Sequence, residues 1–208
     1  MAVTFTNTTV TDPEGVQGSY PQELVVGHEG MLADLQAYVS RSYRNQTGGA
    51  IPFGRLVATD STPSSNDAYA VKLADAADGI VGITIDSLTF EAVEGKNSAY
   101  TGNPTWLRTD AEGNEHVGYP DKQTLNVMSK GVIWVYTVEA VALGDDVRAF
   151  ITDDSGSTSG ADIGRFGTTA SAGVTVAITG ARWLSETDGA GLALLELDIP
   201  AATFTADA

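Results

Sequence analysis

Between Lys130 and Thr152 the chain alternates so regularly that only one kind of backbone suits it. Val132, Trp134, Tyr136 and Val138 stand two residues apart, the spacing that places side chains on one face of a β-strand. Gly144-Asp145 offers a turn, and Val147 to Ile151 returns as a second strand. Shorter versions of the pattern fill much of the rest. Ile51–Thr59, Ala68–Leu73, Ile80–Ser87, Thr175–Ile178, Ala181–Leu184 and Leu192–Leu197 are brief apolar or alternating runs between Gly, Ser, Asp and Pro loops. Many short strands without long helices between them favour a small barrel or sandwich over a parallel α/β fold. Closing a barrel also removes exposed strand edges.

Two segments depart from this pattern. Residues 1–30 are broken by Pro13, Gly15, Gly18, Pro21, Gly27 and Gly30 and read as an extended arm, with at most one short strand over Val3–Thr9. From Met31 to Tyr43 the apolar residues Met31, Leu32, Leu35, Tyr38, Val39 and Tyr43 recur at helical spacing, which predicts a short amphipathic helix over 31–44. Arg41 and Arg44 would then suit its C-terminal dipole. Thr105–Arg108 and His116–Tyr119 flank Asp110-Ala111-Glu112-Gly113-Asn114, which predicts a hairpin with glycine for the left-handed position. Residues 153–173 read as a long Gly/Ser/Thr/Asp loop. The expected organisation is an arm over 1–47, a β-domain over 48–197 with an inserted hairpin at about 91–121, and a tail over 198–208.

Charge narrows the partners. Eleven basic and 27 acidic residues give a net charge of −16. Nucleic-acid binding relies on Lys and Arg displacing counterions from phosphates, so DNA or RNA is not an expected partner. No stretch approaches the ~20 apolar residues of a membrane span, and the N-terminus lacks the basic and apolar regions of a signal peptide. Without cysteine there is no disulfide, thiolate zinc site or cysteine nucleophile.

Catalytic chemistry is poorly supplied. The two histidines, His28 and His116, lie in different segments and give little material for a triad or a histidine metal site. Gly156-Ser157-Thr158-Ser159-Gly160 imitates a nucleophile elbow, but its centre is Thr158 and no strand-to-helix transition follows. Asp153, Asp154 and Asp162 miss the calcium-loop template, which needs glycine where Thr158 stands. No Walker lysine follows a glycine run. The expectation is a protein without catalytic residues, cofactor or metal. Trp134 and Trp183 sit in alternating strands and are expected in the core, whereas Trp106 and its neighbour Arg108 are expected on an exposed hairpin.

Five stretches taken in order carry a family likeness: Gly48-Gly49-Ala50-Ile51-Pro52-Phe53-Gly54, Gly79-Ile80-Val81-Gly82-Ile83-Thr84, Lys130 to Val147, Gly180-Ala181-Arg182-Trp183, and Gly189 to Leu197. In that order and spacing the chain resembles the structural cement (capsid decoration) proteins of tailed bacteriophages. The resemblance implies a β-domain preceded by an arm, a homotrimer, and a place on the outer surface of a phage head assembled in the host cytoplasm. The implied partners are the major capsid protein and other copies of the chain. On this reading the arm segment lies on the capsid or a neighbouring subunit, with Met31, Leu32, Leu35, Tyr38, Arg41 and Arg44 as contacts. The hairpin around Trp106 looks like an insertion relative to that family, whose next strand resumes near Tyr119–Met128. Other readings are a surface carbohydrate-binding or adhesion module using exposed tryptophan, and a tail-associated structural protein.

Overall fold

The computed structural model describes residues 27–34, 38–60, 69–86, 107–109, 115–119, 121–152, 163–199 and 201–207. Among these residues every regular element is a strand. They are β1 Val39–Asn45, β2 Ile51–Pro52, β3 Leu56–Thr59, β4 Ala70–Leu73, β5 Ile80–Thr84, β6 Leu107–Thr109 and β7 Glu115–Tyr119. There follow β8 Thr124–Thr137, β9 Arg148–Phe150, β10 Phe166–Gly167, β11 Thr175–Thr179, β12 Arg182–Trp183, β13 Gly191–Asp198 and β14 Thr203–Ala206.

The strand β8 organises the molecule. Its fourteen residues extend roughly 45 Å at about 3.3 Å per residue, and its two halves serve two different cores. The first half closes a five-stranded barrel in the order β1-β4-β3-β5-β8, with β1 pairing to both β4 and β8. Val57, Val71, Leu125 and Val127 fill this barrel, and Ile51, Phe53 and Tyr119 from the small sheet β2-β7-β6 plug it. The Phe53 and Tyr119 rings meet edge-on at 5.1 Å, and the Tyr119 hydroxyl donates to the Ile85 carbonyl at 2.7 Å. The second half of β8 pairs with β13 over eight residues and with β10, which leads on through β9 and β11 to β14. Between this sheet and the outer wall of the barrel lies the larger core, with Leu56, Ile83, Met128, Ile133, Val135, Phe166, Val176, Trp183 and Leu195.

One irregularity lets a single strand serve both. Val39 pairs with Lys130 but Ser40 pairs with Met128, so β8 carries an extra residue there. An extra residue reverses which parity faces inward. Leu125 and Val127 therefore point into the barrel, while Met128 on the barrel's outside and Ile133 beyond the bulge share the larger core. Gly131, just past the bulge, has φ +141, and a side chain there would meet Tyr38 Cβ at 2.9 Å.

The helical spacing over 31–44 does not produce a helix. Val39–Asn45 is strand β1, antiparallel to β8. Apolar residues three and four apart also suit a strand flanked by a turn, and Val, Ser, Tyr and Asn favour helix weakly. Pairing with an otherwise vacant edge of β8 decides the outcome. Two strands also arise where the sequence suggested none. The loop expected over 153–173 contains β10, where Phe166 is fully buried. The C-terminal tail contains β14, paired to β11 from Val176↔Ala206 to Thr179↔Thr203. The expected hairpin is present as β6 and β7, with Leu107 opposite Val117 and Thr109 opposite Glu115.

Candidate functional site

The edge of β8 opposite β13 carries the segments assigned above to the arm. Along it lie β1, then residues 30–33, then β10. Residues 27–33 form a latch. The Gly30 amide donates to the Trp134 carbonyl at 2.8 Å, the Trp134 amide to Met31 at 2.9 Å, and the Ala33 amide to Val132 at 3.0 Å. Leu32 bridges antiparallel to Ile133 and packs against the larger core.

A histidine–carboxylate contact and an ion pair fix the same turn to the barrel. His28 Nε2 lies 2.5 Å from Asp86 Oδ2, and the Asp86 amide donates to Gly30 O at 2.8 Å. Glu29 Oε1 lies 3.2 Å from Nε of Arg55, whose side chain is fully buried. The pair ties the turn to the residue that precedes β3. Gly27 has no room for a side chain, since a Cβ would sit 2.6 Å from the Trp134 indole nitrogen. This contact explains why Trp134 is half-buried rather than part of either core. It points away from Ile133 and Val135 and is covered by the turn at Gly27. Tyr136, on the same face, is covered by the Arg165 guanidinium 4.9 Å from its ring. Trp183 lies in the larger core, 2 % exposed.

Beyond the latch the side chains turn outward. Met31, Tyr38 and Val39 are 37 %, 40 % and 47 % exposed, and Arg41 and Arg44 are exposed. Tyr43 is half-buried, 6.4 Å from the ring of Tyr69, which is 64 % exposed. Among the described residues Arg41 and Lys122 enter no ion pair, whereas Lys72, Lys130, Arg148 and Arg182 pair with Asp75, Asp198, Asp146 and Asp207, and Glu196. The Lys130 pKa is raised by its hydrogen bond to Asp198. The surface along β1 is therefore apolar and basic on a chain of net charge −16.

Of the sequence-predicted contacts, Met31, Tyr38, Arg41 and Arg44 are all exposed, with Arg41 and Arg44 on opposite faces of β1 and Met31 in the latch, and Leu32 turns inward. Leu35 and Trp106 lie outside the described residues, as do Asp153, Asp154, Thr158 and Asp162; Arg108 is placed in β6. Among the described residues no three His, Asp or Glu side chains converge as metal ligands. Sequence reasoning missed Glu29, Arg55, Asp86 and Tyr69. A lone Arg55 between Gly54 and Leu56 was the available signal, because an arginine inside a buried strand needs a carboxylate.

Residues 16–198 match the model of a phage protein family described as "Structural cement protein (E217 gp24/Pam3 gp6)". Among solved structures, a chain of "The capsid of Myoviridae Phage XM1" superposes with a TM-score of 0.58 at 17 % identity. The match covers 88 % of this chain and 98 % of that one. At this identity the likeness is one of fold. No curated protein matches the chain.

Proposed function

Because the chain belongs to the phage structural cement protein family, we propose that it clamps neighbouring major capsid protein subunits on the outer surface of an assembled head. The observation that carries this reading is the set of exposed side chains on and beside β1, namely Met31, Tyr38, Val39, Arg41 and Arg44. They are apolar and cationic on an acidic protein, and Val39, Arg41 and Arg44 are held by a sheet rather than by a loop. A rigid, desolvatable set with arginines suits an interface core. The clamp is a homotrimer without catalytic activity, cofactor, membrane contact or nucleic-acid contact.

Reinforcement follows from linkage. A protein that binds the assembled shell but not its dissociated subunits stabilises the shell by its binding free energy at every site. About 1–3 kcal/mol per site is enough when many sites are occupied and several contacts act together. Heads lacking the protein should assemble but release DNA at a lower temperature, scored by nuclease sensitivity. Adding back the purified protein, without nucleotide or metal, should restore protection. Undecorated heads as robust as decorated ones would contradict the reinforcing role.

A further inference from the structure

Part of the strand β1 has backbone groups that point away from β8. Asn45 N–H donates to Gln123 O at 3.0 Å, so Asn45, Tyr43 and Arg41 direct their backbone groups toward β8. Arg44, Ser42 and Ser40 then point the other way, and Arg44 N–H does donate to Tyr69 O at 2.9 Å. The pairing with β4 covers only Arg44↔Ala70 and Asn45↔Val71. The outward groups of Ser40 and Ser42 have no strand partner among the described residues. An open edge beside exposed Val39 and Tyr69 is a template for another strand.

We propose that this edge receives the N-terminal segment Val3–Thr9 of a neighbouring copy, so that the protomers exchange strands. The inference rests on the self-association reading above. Three observations favour this occupant. The chain that follows this segment, residues 10–26, contains Asp12, Glu14 and Glu23 but no Lys, Arg or His, which suits a surface carrying Arg41 and Lys122. Val3, Phe5, Thr6 and Thr8 are residue types that suit a half-buried strand. Direction separates a neighbouring copy from the chain's own arm. As residue number falls from Ala33 to Gly30, the latch moves along β8 from Val132 to Trp134, away from Lys130 where β1 begins. At Gly30 the chain, followed toward its N-terminus, thus runs away from its own open edge. Fully extended, residues 10–26 cover roughly 55 Å, longer than β8, so a neighbour is within reach.

The absence of cysteine permits a clean cross-linking test on the full-length protein. Single variants Thr4→Cys, Thr6→Cys or Thr8→Cys are coexpressed with a differently tagged Ser40→Cys or Ser42→Cys and mildly oxidised. Paired strands bring Cβ atoms within disulfide range. A disulfide joining the two tagged chains is the expected result, strongest at one register. Ser42→Pro removes an outward amide together with the Ser42 hydroxyl bond to Asn126; it should raise the concentration needed for assembly about tenfold with unchanged far-ultraviolet dichroism, whereas Ser42→Ala, which loses only the hydroxyl, should not. In a chain carrying both cysteines, such as Thr6→Cys with Ser42→Cys, a disulfide formed only within one chain would overturn the exchange. So would an intact oligomer, by light scattering, that forms no disulfide at any register, leaving self-association standing. A monomer at tens of micromolar would instead remove the self-association reading and this inference with it.

Discussion

Both β1 and β13 pair antiparallel with β8, yet they put their side chains to opposite uses. Along β13 the residues alternate, with Ala193, Leu195 and Leu197 fully buried. Along β1 only Asn45 is buried, Tyr43 is half-buried, and the five residues Val39, Ser40, Arg41, Ser42 and Arg44 are exposed. Backbone pairing is nearly as extensive for the second as for the first. One strand thus converts its ladder into core, and the other presents a fixed row of side chains to the outside. Burial stabilises the chain itself, at about 25 cal/mol per Å² of apolar surface. Exposed Val and Tyr on a paired strand add little to that and are available to a partner.

The largest expected effect separates the backbone role of β1 from its side chains. Deleting residues 1–47 removes a wall of the barrel, the buried Asn45 and the Glu29 partner of Arg55. This variant should not fold cooperatively, whereas deletion of residues 1–26 should leave the melting transition in place. Calorimetry on both distinguishes them, and a cooperative transition without β1 would show that the two strands differ less than described.

Next in size is a matched pair of truncations. Leu195→Ala in β13 should destabilise the protein by about 3 kcal/mol, and Val39→Ala in β1 by about 0.5 kcal/mol or less. Chemical denaturation measures both. Equal losses would mean that β1 packs inward as β13 does.

The smallest effect tests the far end of β8. The Glu139 carboxylate accepts hydrogen bonds from the amides and hydroxyls of Thr168 and Thr169, fixing the chain that follows β10. Burial pushes its pKa up, but those hydrogen bonds outweigh it and hold it below the ordinary 4.5. A group depressed in the folded state contributes stability above its unfolded pKa and loses it as pH falls through the folded one. Glu139→Gln should therefore cost about 1 kcal/mol at pH 7, an estimate already reduced for partial exposure. The difference from the parent should shrink as pH drops below 4.5. A difference that does not change with pH would place the contribution elsewhere.

The sequence made the side-chain alternation of β13 and of the second half of β8 visible because each buries one parity against a single core. It did not expose the bulge at Ser129–Lys130, since a parity change looks like two unrelated runs until the partner strand is known. The spacing from Met31 to Tyr43 misled for a related reason. Two short strand-like pieces joined by a turn mimic a helical stripe, and only the vacant edge of β8 decides between them. Phe166 and Phe204 were hidden by Gly-, Ser- and Thr-rich flanks, although each anchors a strand on the larger core. The site was legible in part. Met31, Tyr38, Arg41 and Arg44 could be chosen by residue type, but the faces to which Arg41 and Arg44 point depend on β1 being extended. The latch pair Glu29–Arg55 spans separate segments and needed the fold.

The central claim is that this surface clamps the shell, and electron microscopy of the native particle tests it most directly. The account predicts density for the barrel on the outside of the head, with β1 and the latch facing the junction between neighbouring capsid subunits. Density confined to the tail, or a barrel touching one subunit with β1 facing solvent, would contradict it.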